Sequence, residues 1–314
     1  MALNIPDRDA YLSLSDDLFV IDSASRDNEE IVRPSITYWQ DVWMRFRRDP
    51  LALIGLMIIL AMALLAIFVP LFSSYSYDGM DLTAMNQGPS LKHLCGTDQM
   101  GRDLFIRILY GARISLTIGF VAAAINFLIG VVYGGISGYI GGRTDIVMMR
   151  IVDILTSLPS LLYIVLIMLV FGSNMGSVIL ALCFTSWIGT ARVVRSEVMR
   201  LKHSEYVLAA RLSGASTGKL LHYHLIPNAM GPIIVSTAFL IPNAIFSESF
   251  LSFLGIGIQA PMASWGTLAN DAIQMMLSQP YQMLFPVLAI CLTMFSFNFI
   301  GDGLRDALDP RMKR

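Results

Sequence analysis

Residues 205–228, EYVLAARLSGASTGKLLHYHLIPN, decide how this chain is organised. They form a polar, helix-favouring segment between long runs that contain no charged residue. Ser204 stands where a helix N-cap is expected, and Gly214 is placed to end that helix with a positive φ. Ser216 can begin a second helix that Pro227 is expected to break. The segment is therefore predicted to be two short helices joined by a glycine turn, and so short a unit needs a partner surface to be stable.

The rest of the chain has the composition of a membrane protein. Of its 314 residues, 55% are hydrophobic and only 14% are charged. A helix needs about 20 apolar residues to cross a bilayer core about 30 Å thick. The uncharged runs that reach this length are 51–72, 114–142, 154–191, 225–247 and 272–301. The third is long enough for a helical hairpin, with its turn at FGSNMG (171–176) and Pro159 as a possible kink. We therefore predict an all-α polytopic membrane protein with six transmembrane helices.

Small and polar residues inside these runs are expected to serve helix packing or gating. Gly130, Gly134 and Gly138 recur every four residues, so one helix face should allow another helix to approach closely. Carboxylates inside membrane spans are costly and often functional. The polar residues for which we expect a gate or structural role are Glu248, Asn126 and Asn243.

The distribution of basic residues predicts the orientation. With six spans both termini lie on one side, and all but four of the 22 Lys and Arg residues fall on that side. The four exceptions, in or beside the first external loop, are Lys92, Arg102, Arg107 and Arg113. The positive-inside rule therefore places both termini and residues 205–228 in the cytoplasm. Residues 1–34 are expected to be a polar cytoplasmic tail without a signal peptide, and residues 35–49 an interfacial helix.

Neither a catalytic set nor a firm metal site emerges from the sequence. GASTGKL (214–220) lacks the spacing and the final Ser or Thr of a phosphate loop, and GIGIQA (255–260) lies at the external end of a span. A membrane enzyme or sensor, the alternative class, would need a buried catalytic set or a large soluble domain. The alternative metal ligands are His222 with His224, which diverge on a helix, and the external set of His93, Cys95 and Asp98.

Several blocks resemble one family of transporters. Leu208-Ala209-Ala210, Gly214 and Ile226-Pro227 have the spacing of the cytoplasmic EAA loop of binding-protein-dependent ABC importer permeases. Leu208 stands where that motif has glutamate, and His224 where it has its distal isoleucine. Four further blocks resemble the oligopeptide/dipeptide permease subfamily, in particular its C-type subunit. They are CGTDQMGRDLFIRILYGARISL (95–116), SESFLSFLGIG (247–257), SWG (264–266) and FNFIGDGLRDALDP (297–310).

This resemblance implies a type I ABC importer permease fold and a set of partners. The chain would form half of a translocation pathway for peptides, with a second homologous permease, two ATP-binding-cassette ATPase subunits and an external peptide-binding protein. It would be no enzyme and bind no cofactor, because ATP and Mg belong to the ATPase subunits. The residues expected to dock on the ATPase are Glu205, Tyr206, Ala209, Ala210, Arg211, Gly214, Ala215, Ser216 and Pro227. Nickel chelates or cationic peptides are the alternative cargo within the subfamily.

The resemblance also implies a domain organisation in a prokaryotic cell membrane. Residues 1–34 are the cytoplasmic tail, and residues 35–111 hold the interfacial helix, the first transmembrane helix and the external loop. Residues 112–303 form the transport domain of five helices, with the coupling loop at residues 193–230. Residues 304–314 are expected to be a second cytoplasmic tail.

Overall fold

The computed structural model describes residues 37–309, and there its regular structure is helical except for one isolated bridge between Thr97 and Asp103. The predicted tail at 1–34 and the last residues of the 304–314 tail lie outside the described residues. The chain divides into two units, residues 1–40 and 41–314, and the packing described below lies within the second. The helices are α1 (Tyr38–Phe46), α2 (Pro50–Phe72), α3 (Leu104–Ile140), α4 (Gly142–Ser157), α5 (Ser160–Phe171), α6 (Met175–Cys183), α7 (Trp187–Leu201), α8 (Glu205–Leu212), α9 (Thr217–Lys219), a π-helical turn (Leu220–Leu225), α10 (Ile226–Ala238), α11 (Leu240–Phe253), α12 (Trp265–Asp271) and α13 (Tyr281–Leu308), with short 3-10 turns at Leu82–Ala84 and Ile273–Met275.

Among the described residues, five helices are long and apolar enough to cross a membrane. They are Pro50–Phe72, Leu104–Ile140, Met175–Leu201, Thr217–Phe253 and Tyr281–Leu308. The pair α4 and α5 makes a sixth span if it is counted as one helix bent by 82°. The bend falls at Leu158-Pro159, because proline disfavours the helical conformation of the residue before it. Six spans are therefore found only when the bent pair is counted as one.

The turn predicted inside the third uncharged run is present. Gly172 has φ +79° and ends α5, and the Asn174 side chain accepts a hydrogen bond from the backbone N–H of Ser177 at the start of α6. Only glycine adopts such a φ without steric cost, so FGSNMG reverses the chain as expected. The first arm is nevertheless short. The 12 residues of α5 span about 18 Å, less than the bilayer core of about 30 Å.

The second span begins earlier than its uncharged run. The Asp103 side chain accepts a hydrogen bond of 2.9 Å from the backbone N–H of Ile106, which starts α3 at Leu104. Arg107 and Arg113 therefore lie on α3 and not in the external loop. With 37 residues, α3 is about 55 Å long, so it extends well past a single bilayer core.

The break predicted at Pro227 is wrong. The chain stays helical through Pro227, and the span that contains it runs from Thr217 to Phe253 with one turn residue, Phe239, between α10 and α11. Its residues 220–225 form a π-helical turn in which the N–H of Ile226 bonds to the carbonyl of Leu221. Pro227 follows in the first turn of α10, where its missing N–H leaves the helix intact. A π-helical turn inserts one residue and shifts the hydrogen-bond pattern, so the helix continues past the proline.

The three glycines predicted to form a close helix contact face α7. A Cβ added to Gly130 would lie 2.7 Å from the Cβ of Thr190, and one added to Gly138 would lie 2.7 Å from the carbonyl oxygen of Arg195. A Cβ on Gly134 would overlap the carbonyl oxygen of Ala191. The prediction of a small-residue packing face is therefore confirmed, and α7 is the helix that uses it.

We predict that Gly134→Ala destabilises the protein far more than Gly135→Ala. The first methyl group would collide with the Ala191 backbone, which cannot rotate away, whereas the second would have no neighbour nearer than 3.8 Å. Overpacking of this kind costs about 1–3 kcal/mol. Thermal unfolding of both purified variants in one detergent measures the difference. Equal melting temperatures would contradict the close approach of α3 and α7.

Candidate functional site

The helix predicted at the start of residues 205–228 is present as α8, which spans Glu205 to Leu212. Ser204 occupies its N-cap position, as expected. Its hydroxyl does not cap the helix, however, because it donates a 2.6 Å hydrogen bond back to the carbonyl of Leu201. Ser216 likewise precedes α9 without a side-chain capping bond. The helix starts were therefore predicted correctly and the capping hydrogen bonds were not.

The glycine turn is also where the sequence places it. Gly214 has φ +83°, and its N–H bonds to the carbonyl of Arg211 at 3.0 Å. The N–H of Ala215 bonds to the carbonyl of Ala210 at 3.1 Å. No other residue type adopts this φ as readily, so the direction of the chain after α8 depends on this one glycine.

The inner face of the coupling loop, residues 193–230, is packed against the membrane body. Val207 of α8 is fully buried, together with Leu220 and Leu225 from the π-helical turn. These side chains share one apolar cluster with Val194 and Val198 of α7, and with Val131 of α3 and Ile233 of α10, which lie outside residues 193–230. The coupling loop is therefore attached to α7 and to the base of the fifth helix by a dry apolar contact.

The outer face of α8 is exposed and partly apolar. Tyr206 is 41% exposed, Leu208 44% and Leu212 89%. The leucines are four residues apart and so lie on one side of the helix. Among the predicted docking residues, the exposed ones are Glu205, Tyr206, Ala209, Arg211, Gly214, Ser216 and Pro227, while Ala210 and Ala215 are partly buried in the apolar cluster. Leu212 was not predicted, although its spacing from Leu208 is a signal for such a face.

An ion pair joins α4 to α7 beside the coupling loop. The Arg195 guanidinium donates to both carboxylate oxygens of Asp145, at 2.5 and 2.6 Å, and the Ser137 hydroxyl of α3 donates to the same group at 2.6 Å. Lys202 donates to the carbonyl of Gly138 at 3.2 Å. Nothing in the sequence indicates this contact, because its members lie far apart in the chain.

The polar residues predicted for a gate or structural role have three different surroundings. Glu248 is fully buried on α11 and accepts hydrogen bonds from Ser115 at 2.8 Å and from Ser252 at 2.9 Å. Asn126 is also buried, and its Oδ1 has no hydrogen-bond partner among the described residues. Asn243 is exposed on α11.

The loop between α2 and α3 is tied to α3 and to α12 by charged groups. The Asp98 carboxylate accepts from Arg102 Nε at 2.6 Å and from Arg107 Nη1 at 2.5 Å. Arg107 also reaches Asp271, the last residue of α12, at 3.3 Å. His93 Nδ1 pairs with Asp103 at 2.8 Å. No group of three or more potential metal ligands is assembled anywhere in residues 37–309.

Two family profiles match the chain. Residues 127–314 match the binding-protein-dependent transport system inner membrane component profile. Residues 37–89 match the profile of the N-terminal transmembrane domain of oligopeptide transport permease C. The coupling loop and Glu248 lie within the first match, and α2 lies within the second.

Curated relatives match nearly the whole chain. The oligopeptide transport system permease protein of Bacillus subtilis (strain 168) is 49% identical over 92% of this chain and 94% of its own length. The dipeptide transport system permease protein of the same organism is 48% identical over 95% and 94%. The Escherichia coli (strain K12) oligopeptide permease protein is 42% identical over 87% and 91%. A solved structure of the MetNI methionine ABC transporter in an inward-facing conformation has a TM-score of 0.56 at 15% identity, covering 66% of this chain and 98% of that one.

We predict that the thiol of Cys95 reacts slowly with a water-soluble maleimide at pH 8. Burial, together with the nearby charge of Asp103, raises the pKa of Cys95 to about 11, so little of the reactive thiolate is present. Unfolding in SDS should speed the labelling at least about tenfold, because an unperturbed cysteine has a pKa of about 8.5. The matched control is Leu91→Cys in a Cys95→Ser background, since Leu91 is 100% exposed. Equal labelling rates for the two thiols in the folded protein would contradict the packing of this loop.

Proposed function

This chain belongs to the family of binding-protein-dependent transport system inner membrane components, and from that premise we propose that it carries peptides as half of the pathway of an ABC importer. It is a membrane transport permease, like the relatives that match it. The proposal that the substrate is a peptide rests on the near full-length similarity to permeases named for oligopeptide and dipeptide transport. The match to the N-terminal domain profile of an oligopeptide permease supports the same cargo.

An importer of this family works with ATPase and other subunits. In our proposal the partners are a second homologous permease, two ATPase subunits and an external peptide-binding protein. ATP and Mg are bound and hydrolysed on the ATPase subunits, and this chain itself holds no cofactor. The relatives' description as transport permease proteins supports this division of labour.

The coupling loop is the proposed contact with the ATPase. Its inner face is fixed to α7 and to the fifth helix, so a force on the outer face is passed to two spans at once. The outer face presents Tyr206, Leu208 and Leu212, and an exposed apolar surface of this kind favours association with another protein. Where the EAA motif has glutamate, this chain has Leu208, so the contact made there is apolar.

Both termini and the coupling loop lie in the cytoplasm in this proposal, and the membrane is the prokaryotic cell membrane. The charge distribution supports the orientation, because the basic residues of residues 192–230 lie on the side shared by the termini. With this orientation Asp98, Arg107 and Asp271 are external, where a binding protein would deliver its cargo.

The first experiment is purification of the tagged chain from its native membrane in mild detergent, with mass spectrometry of the bound proteins. We expect a second permease of similar size and one or two ATPases. Leu212→Asp should reduce the recovered ATPase several-fold, because a charge would be buried in an apolar contact. Leu212→Met, which keeps the apolar side chain, serves as the control. Recovery of the chain without any ATPase in the unmodified protein, or full recovery with Leu212→Asp, would count against the proposal.

A second test concerns the glycine turn. Gly214→Val should abolish most peptide uptake while the complex still hydrolyses ATP, because a β-branched residue at this φ costs at least about 1–2 kcal/mol and displaces α8. Gly214→Asn should retain more uptake, since asparagine tolerates positive φ. Gly218→Val is the matched control, because Gly218 lies in the same loop with no positive φ and no atom within 4 Å of its added Cβ. Uptake that falls equally in both valine variants would refute the turn assignment.

A further inference from the structure

Arg113, on the external part of α3, is a cation without an acidic partner. None of the ion pairs formed within residues 37–309 includes it. Its guanidinium instead donates to two backbone carbonyls of α2, from Nε to Ala66 and from Nη2 to Ile67, the second at 2.8 Å. The group also lies 5.8 Å from the centre of the Tyr110 ring. This side chain, which is half-buried, therefore joins two spans through their backbone.

The carbonyl of Ala66 is available because of Pro70, which lies inside α2. In a helix the carbonyl of one residue accepts from the N–H four residues later, and proline has no N–H to donate. Ala66 is the residue four positions before Pro70, so it lacks its intrahelical donor. Unsatisfied backbone groups are costly near hydrocarbon, where water cannot replace the missing donor. Ala66 is 1% exposed, which rules out bulk water as an easy substitute.

We propose that Arg113 replaces the N–H that Pro70 lacks, and that this contact fixes the external end of α2 on α3. Arg113 is thus a positioning residue, and its partner is a carbonyl made available by a proline. The planar guanidinium suits this role, because its Nε and one Nη point in parallel and can reach two successive carbonyls. A lysine has a single ammonium and can satisfy one carbonyl at a time.

The same stretch of α3 supports two other elements of the external side. Gly111 packs against the backbone of Ser264 and the ring of Trp265 at the start of α12, since an added Cβ would lie 3.2 Å from both. Ser115 donates to Glu248 of α11. Gly111, Arg113 and Ser115, at every second position of α3, therefore contact α12, α2 and α11 in that order. Arg113 therefore fixes the position of α2 relative to α11 and α12.

The test is a double-mutant cycle on the full-length chain, purified with whatever subunits accompany it. Arg113→Met keeps the length of the side chain and removes its donors, and we expect the apparent melting temperature to fall by on the order of 5 °C. Pro70→Ala restores an N–H four residues after Ala66. The double variant Arg113→Met/Pro70→Ala should therefore recover at least half of the loss, because the carbonyl then has a donor within its own helix.

Two controls separate this effect from general stabilisation by removal of a proline. Pro70→Ala combined with Gly134→Ala should give no rescue, because Gly134 contacts α7 and not α2. Arg113→Lys should fall between the unmodified protein and Arg113→Met. The proposal is overturned if the double variant melts no higher than Arg113→Met alone, if Pro70→Ala rescues Gly134→Ala equally well, or if lysine fully replaces arginine.

Peptide uptake by the same variants adds a readout that depends on the proposed function, whereas the melting temperatures do not. We expect the maximal uptake rate to fall at least about twofold with Arg113→Met and to recover in the double variant, in parallel with stability. Rescue of the melting temperature, in a protein that never transports peptide, would uphold the contact and refute the function. Absence of rescue in a protein that does transport peptide would refute the contact alone.

Discussion

The close approach of α3 and α7 is the contact on which the other features depend. Three glycines, Gly130, Gly134 and Gly138, let the two backbones meet where any side chain would collide with Thr190, Ala191 or Arg195. Between membrane helices there is little hydrophobic driving force, so close packing has to supply the attraction. Because α7 leads directly into the coupling loop, the separation of these helices sets where α8 stands. The ion pair between Asp145 and Arg195 then fixes α4 to the same place.

Sequence patterns predicted the features that depend on local chemistry. Uncharged runs located the spans, and the four-residue glycine spacing identified a packing face. The positive φ of Gly214 and the turn at FGSNMG (171–176) were both predicted correctly. Errors occurred where charge was taken as a boundary. Arg107 and Arg113 interrupt the uncharged run, yet they are part of α3, because the N-terminal end of that helix is stabilised by Asp98 and by the backbone of α2. A charged residue ends a hydropathy run without ending the helix.

The polar contacts of the candidate site could not be predicted, because they join residues that are distant in the chain. Nothing near Asp145 points to Arg195, and nothing near Arg113 points to Pro70 as the reason for its partner. Glu248 was recognised as a buried carboxylate, but its hydrogen bond to Ser115 on another helix depends on how α3 and α11 pack. The outer face of α8 is an intermediate case. The spacing of Leu208 and Leu212 was visible, while the burial of Val207, the residue directly before Leu208, required the structure.

The helical path through Pro227 has a mechanical consequence for α8, the proposed contact with the ATPase. With a break at Pro227, the coupling loop would be joined to the membrane body by a hinge, and a push on α8 would be absorbed there. Instead, one span of 37 residues runs from Thr217 to Phe253 through its π-helical turn, with a single turn residue, Phe239, between α10 and α11. Near its N-terminal end, Leu220 and Leu225 share a buried cluster with Val207. Near its C-terminal end, Glu248 accepts a hydrogen bond from Ser115 of α3. A displacement of α8 therefore moves α10 with it or breaks the buried contacts among Val207, Leu220 and Leu225. A span of 37 residues is about 55 Å long, which is enough to reach from one face of a bilayer core to the other.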